Sequence, residues 1–156
     1  METNRMTIIR NNPQPRLAAS VAYGDLLFLS GQTPKSNEDD IVLQIREVLE
    51  KIDALLAAAG SDKQHVLSAQ IWLKNIERDF AAFNEVWVQW MPEGYSPARA
   101  AVQAEMARPE ILVEIMLTAR QSVKIDRKEK GRNAAFLISS DYLSFGDAFS
   151  TRLFSF

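Results

Sequence analysis

Two charged residues lie in stretches of the chain that are otherwise small or apolar. The segment GYSPARAAV, residues 94–102, carries one arginine, Arg99, and the later segment LVEIML carries Glu114. A guanidinium group binds anions, and a carboxylate can exchange a proton with a reacting group. Burying either charge without a partner is unfavourable. The small residues around Arg99 leave open space beside a cation, and we expect something else to fill that space.

A structural salt bridge between Arg99 and Glu114 is the alternative interpretation. The segments SPARAAVQAEM and ILVEIMLTA have strand patterns and are joined by ARPE, which predicts a hairpin. A turn near residues 108 and 109 places Glu114 opposite Gln103, four residues from Arg99. At about 3.3 Å per residue, these strand positions are roughly 13 Å apart, so a direct ion pair is not the default. The residues alone leave the structural and functional interpretations equally weighted.

The remaining residue types argue against several common kinds of site. The only histidine, His65, lacks the neighbours of a nucleophilic triad or a metal centre, and we expect a structural or surface role. The chain has no cysteine and no G-x-G-x-x-G phosphate loop, and no paired histidines or clustered carboxylates suggest a tight metal site. We therefore expect neither a metal nor an organic cofactor.

The hydrophobic pattern predicts an α+β domain with the element order βββαβαββ. The first strand is predicted at RMTIIR, and the strand Leu26–Ser30 is apolar at nearly every position, so both of its faces should be covered. Apolar residues then recur at three- and four-residue steps after Asp39 and Asp40. Either aspartate can cap this helix, and Gly60 can end it in the left-handed conformation.

A second helix is predicted at ERDFAAFNEVWVQWM, and Pro92-Glu93-Gly94 ends it. Its aromatic residues form a stripe that we assign to the core: Phe80, Phe83, Trp87 and Trp90. One strand, HVLSAQIWLKN, separates the two helices. After residue 121 the composition changes, and five of the eight phenylalanines lie in the last segment. We therefore predict a domain at 1–121 and an extension of unknown role at 122–156.

Composition restricts the class of protein. The chain has 156 residues, 47% of them hydrophobic and 24% charged, which is typical of a soluble globular domain. A net charge of −2 argues against nucleic acid as the main partner. The segment METNRMTIIRNN lacks the apolar run of a signal peptide, and no apolar run approaches the roughly 20 residues of a membrane span. We expect a cytoplasmic protein that does not bind membranes.

Five blocks of the sequence resemble the Rid/YjgF family, also called the RutC-like or L-PSP group. They are LLFLSGQTP, QIREVLEKIDALLAAAGSD, FAAFNEVW, SPARAAV and LVEIMLTA, in the family's order and spacing, within about residues 16–120. The resemblance implies a chorismate-mutase-like fold, with two helices on one face of a mixed sheet. It also implies a homotrimer with a ligand cleft at each subunit boundary. The implied activity is that of a 2-iminobutanoate/2-iminopropanoate deaminase, which hydrolyses reactive 2-imino or enamine acids to 2-keto acids and ammonia.

The resemblance also assigns roles to residues of this chain. Arg99 falls on the arginine that holds the substrate carboxylate, a contact that suits the two-pronged guanidinium. Glu114 falls on the glutamate that positions or activates the attacking water. Ser30 and Gly31 fall on residues whose backbone lines the cleft. Asn84 matches a helix asparagine, for which a structural hydrogen bond is the favoured alternative.

Two positions depart from the deaminase pattern. Leu17, in RLAAS, stands where the deaminases have a cleft tyrosine, and Ala101 stands where they have a cysteine. Leucine in place of tyrosine removes a hydroxyl and a ring from the cleft, which puts imine hydrolysis in question. Two further hypotheses for the function therefore stand beside an imine hydrolase. One is a non-catalytic trimer that binds small carboxylates through Arg99. The other is a ribonuclease or translation inhibitor, which the acidic pI argues against.

Overall fold

The computed structural model describes residues 7–121, which form one six-stranded mixed sheet and two α-helices. The strands are Ile8–Pro13 (β1), Ala18–Tyr23 (β2), Leu26–Leu29 (β3), Val66–Leu73 (β4), Ala98–Gln103 (β5) and Val113–Arg120 (β6). The helices are Ile41–Ala58 (α1) and Ile76–Trp90 (α2), and a short 3-10 helix, Lys63–His65, precedes β4. The predicted order βββαβαββ is confirmed, although β1 begins at Ile8 rather than at Arg5. The predicted extension at 122–156 lies outside the described residues.

Local signals explain where α1 begins and ends. Asp40, not Asp39, caps its first turn, because Asp40 Oδ1 accepts a hydrogen bond from Leu43 N at 3.0 Å. At the other end Gly60 adopts a φ of 73°, and Ser61 N donates to Leu56 O at 2.8 Å. This is the left-handed helix ending expected of that glycine.

The ends of α2 follow the same logic. Asn75 Oδ1 accepts from Arg78 N at 2.9 Å at the start of the helix. Beyond the end, Tyr95 N donates to Pro92 O at 3.2 Å, and Gly94 supplies a φ of 82° within this turn. The predicted helix end is therefore confirmed. Neither α1 nor α2 has the length and apolarity that a bilayer-spanning helix needs.

The predicted hairpin between the last two strands is wrong. Across the sheet the order is β1-β2-β3-β6-β4-β5, so β4 lies between β5 and β6. β5 pairs with β4 in parallel, while β6 pairs with β4 and with β3 in antiparallel fashion. Glu114 therefore lies opposite Trp72, and Gln103 lies opposite Leu73. The helix α2 makes the crossover that a parallel pair of strands requires.

One face of the sheet packs against the helices and forms the core. Its fully buried side chains include Leu27, Leu29, Ile71, Leu73, Val113 and Ile115. The helices contribute Ile45, Val48, Ile52, Leu56 and Phe83 to the same core. Phe80, which we assigned to this core, instead lies at its margin with 37% of its surface exposed.

The opposite face of the sheet is open to solvent in the single chain. In β3 burial alternates, so that Leu27 and Leu29 are buried while Leu26 and Phe28 are 39% and 43% exposed. The expectation that both faces of this strand are covered is therefore wrong for the chain by itself. Met116 of β6 is exposed on the same open face. An exposed group of large apolar side chains is typical of an interaction surface.

Candidate active site

Arg99 extends over the aromatic face of α2. It lies opposite the buried Ala69 in the β4–β5 pair, so its side chain projects from the helix-covered face of the sheet. Its Nη2 donates a 2.9 Å hydrogen bond to Asn84 Oδ1. Its Cζ lies 5.6 Å from the ring centroids of both Phe83 and Trp87. These contacts place the guanidinium at the exposed edge of the sheet, and no carboxylate among residues 7–121 pairs with it.

Glu114 occupies the open face of the sheet and touches Gly31. It lies opposite Trp72 in the β4–β6 pair, and its side chain is half-buried. Loss of hydration raises the pKa of its carboxyl. A Cβ added at Gly31 would lie 2.1 Å from Glu114 Oε1, so only glycine leaves room for this carboxylate. Glu114 makes no hydrogen bond or ion pair with any of the residues that the structure describes, which leaves the carboxylate free for another partner.

The segment after β3 is held in place around Gly31. Gln32 pairs through its backbone with Ile115, with N–H to carbonyl distances of 2.8 and 3.0 Å. The buried Gln32 side chain donates from Nε2 to Ser30 O at 2.8 Å. Ser30 Oγ in turn donates to Ala18 O at 2.5 Å. The backbone of Ser30 and Gly31 is therefore fixed on both sides of the position that Glu114 approaches.

The two charged groups lie on opposite faces of the sheet. Residues directly opposite each other on paired strands point to the same face, so Arg99 shares the helix-covered face with Ala69, while Glu114 shares the open face with Trp72. Two strand spacings and three residues along β4 separate their backbones by roughly 14 Å. The intramolecular salt bridge that we considered is therefore excluded, because the two side chains diverge.

The remaining predicted site residues divide between these two positions. Ala101 lies opposite the buried Ile71, on the same face as Arg99 and two residues further along β5. Leu17 lies just before β2 with 47% of its surface exposed, next to the Ala18 carbonyl that accepts from Ser30. Arg99, Asn84 and Ala101 thus form one group. Ser30, Gly31 and Glu114 form a second group, and Leu17 adjoins the second group through the backbone.

Comparison with known proteins places this geometry in a family. A family model described as Endoribonuclease L-PSP matches residues 9–121 of the chain. The chain belongs to this family. It is 39% identical over 115 residues to a RutC family protein of Haemophilus influenzae, a match that covers 73% of this chain and 98% of the relative. It is 36% identical over 114 residues to the RutC family protein YoaB of Escherichia coli, with 73% and 98% covered.

A solved structure supports the same assignment. A member of the YjgF protein family from Neisseria meningitidis matches with a TM-score of 0.74 and 41% identity, over 78% of this chain and 100% of that chain. The predicted chorismate-mutase-like fold is therefore confirmed for this member of the L-PSP family. The names of these relatives describe a family and not a reaction.

A cavity apart from Arg99 and Glu114 is lined by charged side chains that pair with other groups of this L-PSP family chain. It has a volume of about 400 Å³ and lies where β4 meets α2. Lys74 Nζ donates to Pro109 O, and Arg78 pairs with Asp39 at 3.1 Å and with the buried Asp79 at 2.7 Å. The cations that line the cavity are thus occupied by the protein's own acceptors. These contacts hold the start of α2 against the segment before α1.

Neither His65 nor any carboxylate cluster offers a metal site in the described part of the chain. His65 Nδ1 lies 2.7 Å from Asp62 Oδ1, and this hydrogen bond lowers the pKa of the Asp62 carboxyl. The pair closes the turn before β4, which is the structural role expected of this histidine. Among residues 7–121 no group of three or more histidine, aspartate or glutamate side chains converges on one point.

Sequence reasoning missed the surroundings of Arg99. Phe83 and Trp87 were predicted as an aromatic stripe of the core, but their contact with Arg99 was not predicted. The parallel β4–β5 pair decides this contact, because it sets which residues of β5 face α2. The helical spacing of Phe83, Asn84 and Trp87 on α2 was the available signal.

Proposed function

We propose that this protein hydrolyses small 2-imino or enamine acids to 2-keto acids and ammonia, in clefts between the subunits of a homotrimer. The observation that supports the proposal is the divergence of Arg99 and Glu114. Each charge lacks an oppositely charged partner among residues 7–121, and the two point away from each other. One chain cannot direct both at one small molecule. A neighbouring copy can supply the missing half of the site, and the exposed Leu26, Phe28 and Met116 offer it an apolar surface.

The two groups suit the two ends of such a substrate. The Arg99 guanidinium binds the carboxylate of the imino acid through parallel N–H···O bonds. Ala101 leaves room beside it for the carbon chain. Glu114 of the adjacent subunit faces the imine carbon and a water molecule held near Gly31. The cleft thus aligns the water with the carbon that it attacks.

The chemistry needs only a group that takes and returns protons. The water oxygen bonds to the imine carbon, the Glu114 carboxylate takes a water proton, and this proton passes to the imine nitrogen to give a carbinolamine. Glu114 then takes the hydroxyl proton while the carbon–nitrogen bond breaks, and it protonates the departing amine. The products are a 2-keto acid and ammonia, and Glu114 is regenerated. A raised pKa of Glu114 favours its transient protonation.

A coupled assay tests the proposal. A pyridoxal-phosphate-dependent dehydratase generates the imine from threonine, and release of 2-oxobutanoate is followed with and without this protein. We expect faster release in proportion to the amount of protein, and the dehydratase alone is the control. No acceleration at any protein concentration would show that the proposed reaction is wrong.

Leu17 favours a second candidate, a trimer that binds small carboxylates without catalysis. A leucine at this exposed position has no hydroxyl to donate to a substrate. Binding of pyruvate without acceleration of imine hydrolysis would favour this candidate over the first.

A further inference from the structure

Resting on the proposed function, we propose that Trp87 is a positioning residue that, with Phe83, orients the Arg99 guanidinium for a carboxylate ligand. Arg99 leaves an edge strand whose residues are mostly exposed, and small residues surround it. A long side chain in such a place samples many rotamers, and ordering it upon binding costs affinity. A surface that orders Arg99 beforehand removes part of that cost.

The two rings form such a surface because they are themselves fixed. Phe83 is fully buried and Trp87 is 5% exposed. Their ring centroids are 5.7 Å apart with an interplanar angle of 26°. Residues four apart on a helix share one face, so both rings meet β5 together. The negative face of an aromatic ring attracts a guanidinium, and Arg99 Cζ lies 5.6 Å from both centroids.

A third ring, Trp90, contacts Trp87 and provides a control for general effects on packing. The Trp87 and Trp90 rings are 5.3 Å apart, and Trp90 Nε1 donates to Asp53 Oδ2 of α1 at 3.0 Å. Trp90 therefore contributes to the packing of α2 against α1. Among residues 7–121 no hydrogen bond or cation–π contact joins Trp90 to Arg99.

The hydrogen bond to Asn84 completes the orientation. Asn84 Oδ1 accepts from Nη2, and no other side chain or carbonyl of residues 7–121 accepts from this guanidinium. The rings attract the cation without occupying its N–H groups. Arg99 is thus held in one place while most of its donors stay available to a carboxylate.

Three variants of the full chain test this role: Trp87→Leu, Trp87→Phe and the control Trp90→Leu. The first measurement needs no ligand, because NMR of the Arg99 Nε–H group reports the nearby rings through an upfield ring-current shift. We expect this shift in the wild type and in Trp87→Phe, and its loss in Trp87→Leu. The second measurement is the Kd for pyruvate by NMR titration. Trp87→Leu should raise this Kd roughly three- to tenfold, whereas Trp87→Phe and Trp90→Leu leave it nearly unchanged.

The outcomes separate positioning from general stability. In the deaminase assay Trp87→Leu should raise KM with little change in kcat, since the carboxylate contact is made in both the ground and transition states. An equal rise in Kd for Trp90→Leu would show that Trp87 contributes only to the core. A wild-type Arg99 without an upfield shift overturns the proposal even if Trp87→Leu fails to fold. Failure of the wild type to bind pyruvate contradicts the proposed function instead, and the ring-current shift still decides whether Arg99 is held by the rings.

Discussion

Replacing Gly31 with alanine tests how the Glu114 carboxylate is held. The new Cβ would lie 2.1 Å from Glu114 Oε1, 3.1 Å from its Cδ and 3.4 Å from its Cγ. The carboxylate oxygen must therefore move by about 1.3 Å to reach an ordinary contact distance of 3.4 Å. The moving atom is the end of a flexible side chain, so the backbone can keep its position.

The cost should fall on catalysis and not on folding. Gly31 is absent from the residues with positive φ, so its backbone conformation accepts a side chain. Glycine-to-alanine changes at compatible positions alter the free energy of unfolding by only about 0.4–1 kcal/mol, through the unfolded chain. Displacing a catalytic group by about 1 Å can lower the rate on the order of 100-fold. We therefore expect kcat for imine hydrolysis to fall by roughly that factor, with a nearly unchanged urea midpoint.

A matched glycine provides the control. Gly94→Ala meets no atom within 4 Å, but Gly94 has a φ of 82°, so this variant should lose stability and retain activity. Gly31→Ala should also add little to the loss caused by Glu114→Gln, because both changes act on the same proton transfer. Two results would refute the role of Glu114 as the catalytic carboxylate. One is a normal kcat for Gly31→Ala. The other is a double variant in which the fold reductions in kcat caused by Gly31→Ala and Glu114→Gln multiply.

Two further predictions concern Glu114 and the end of the domain. Loss of hydration raises the pKa of the Glu114 carboxyl in the folded chain. The stability that protonated Glu114 contributes is therefore fully present at pH values below the ordinary pKa of 4.5, and it is lost as the pH rises through the pKa of the folded chain. In urea titrations the free energy of unfolding of Glu114→Gln should therefore equal that of the wild type below pH 4.5 and exceed it near neutral pH. The variant should still bind ligand but lose turnover. An equal gain in stability at both pH values would contradict the prediction. A chain truncated after Gln121 should keep its oligomeric state and activity in size-exclusion chromatography and the coupled assay, because Gln121 N still bonds Asp25 O and its side chain still bonds Ala59 O. Aggregation or dissociation would place part of the 122–156 segment in the core or the interface.

The elements of the fold were predictable where local chemistry decides them. Asp40 caps α1 and Gly60 ends it because an anionic oxygen satisfies exposed N–H groups and glycine accepts positive φ. The neighbours of β5 and β6 were not predictable in this way. The adjacency of two strands in the sequence favoured a hairpin, but β4 lies between them. The β4–α2–β5 succession was the available signal, since a helix between strands permits a parallel pair.

The candidate site was predictable as a set of residues but not as an arrangement. Arg99 and Glu114 stood out because charged residues are rare in apolar strands. Their orientation depends on the pairing partner of each strand, because a shift of one residue moves a side chain to the other face. The cleft between subunits is a proposal, and only the resemblance to the family suggested it. The residues of a single chain could not suggest it, because Arg99 and Glu114 point to opposite faces of the sheet.

Because Arg99 and Glu114 point to opposite faces of the sheet, mixed assemblies of two variants test the proposed trimer and its shared cleft. Arg99→Lys keeps the charge but loses the two-pronged contact, and Glu114→Gln keeps the shape but loses proton exchange. Each variant alone should form inactive trimers. In a mixed trimer, however, one cleft combines the unaltered Arg99 of one subunit with the unaltered Glu114 of its neighbour.

Random reassembly of the two inactive variants should therefore restore activity. Equal amounts give about three-quarters mixed trimers in a cyclic assembly, and each of them contains one intact cleft of three. We expect about one-quarter of the wild-type rate after unfolding and refolding the variants together, and no recovery when they are refolded apart and then mixed without exchange of subunits. Activity that stays absent after joint refolding, with trimers formed, would mean that Arg99 and Glu114 do not act across a subunit boundary. Arg99 and Glu114 would then have two separate roles, one on each face of the sheet.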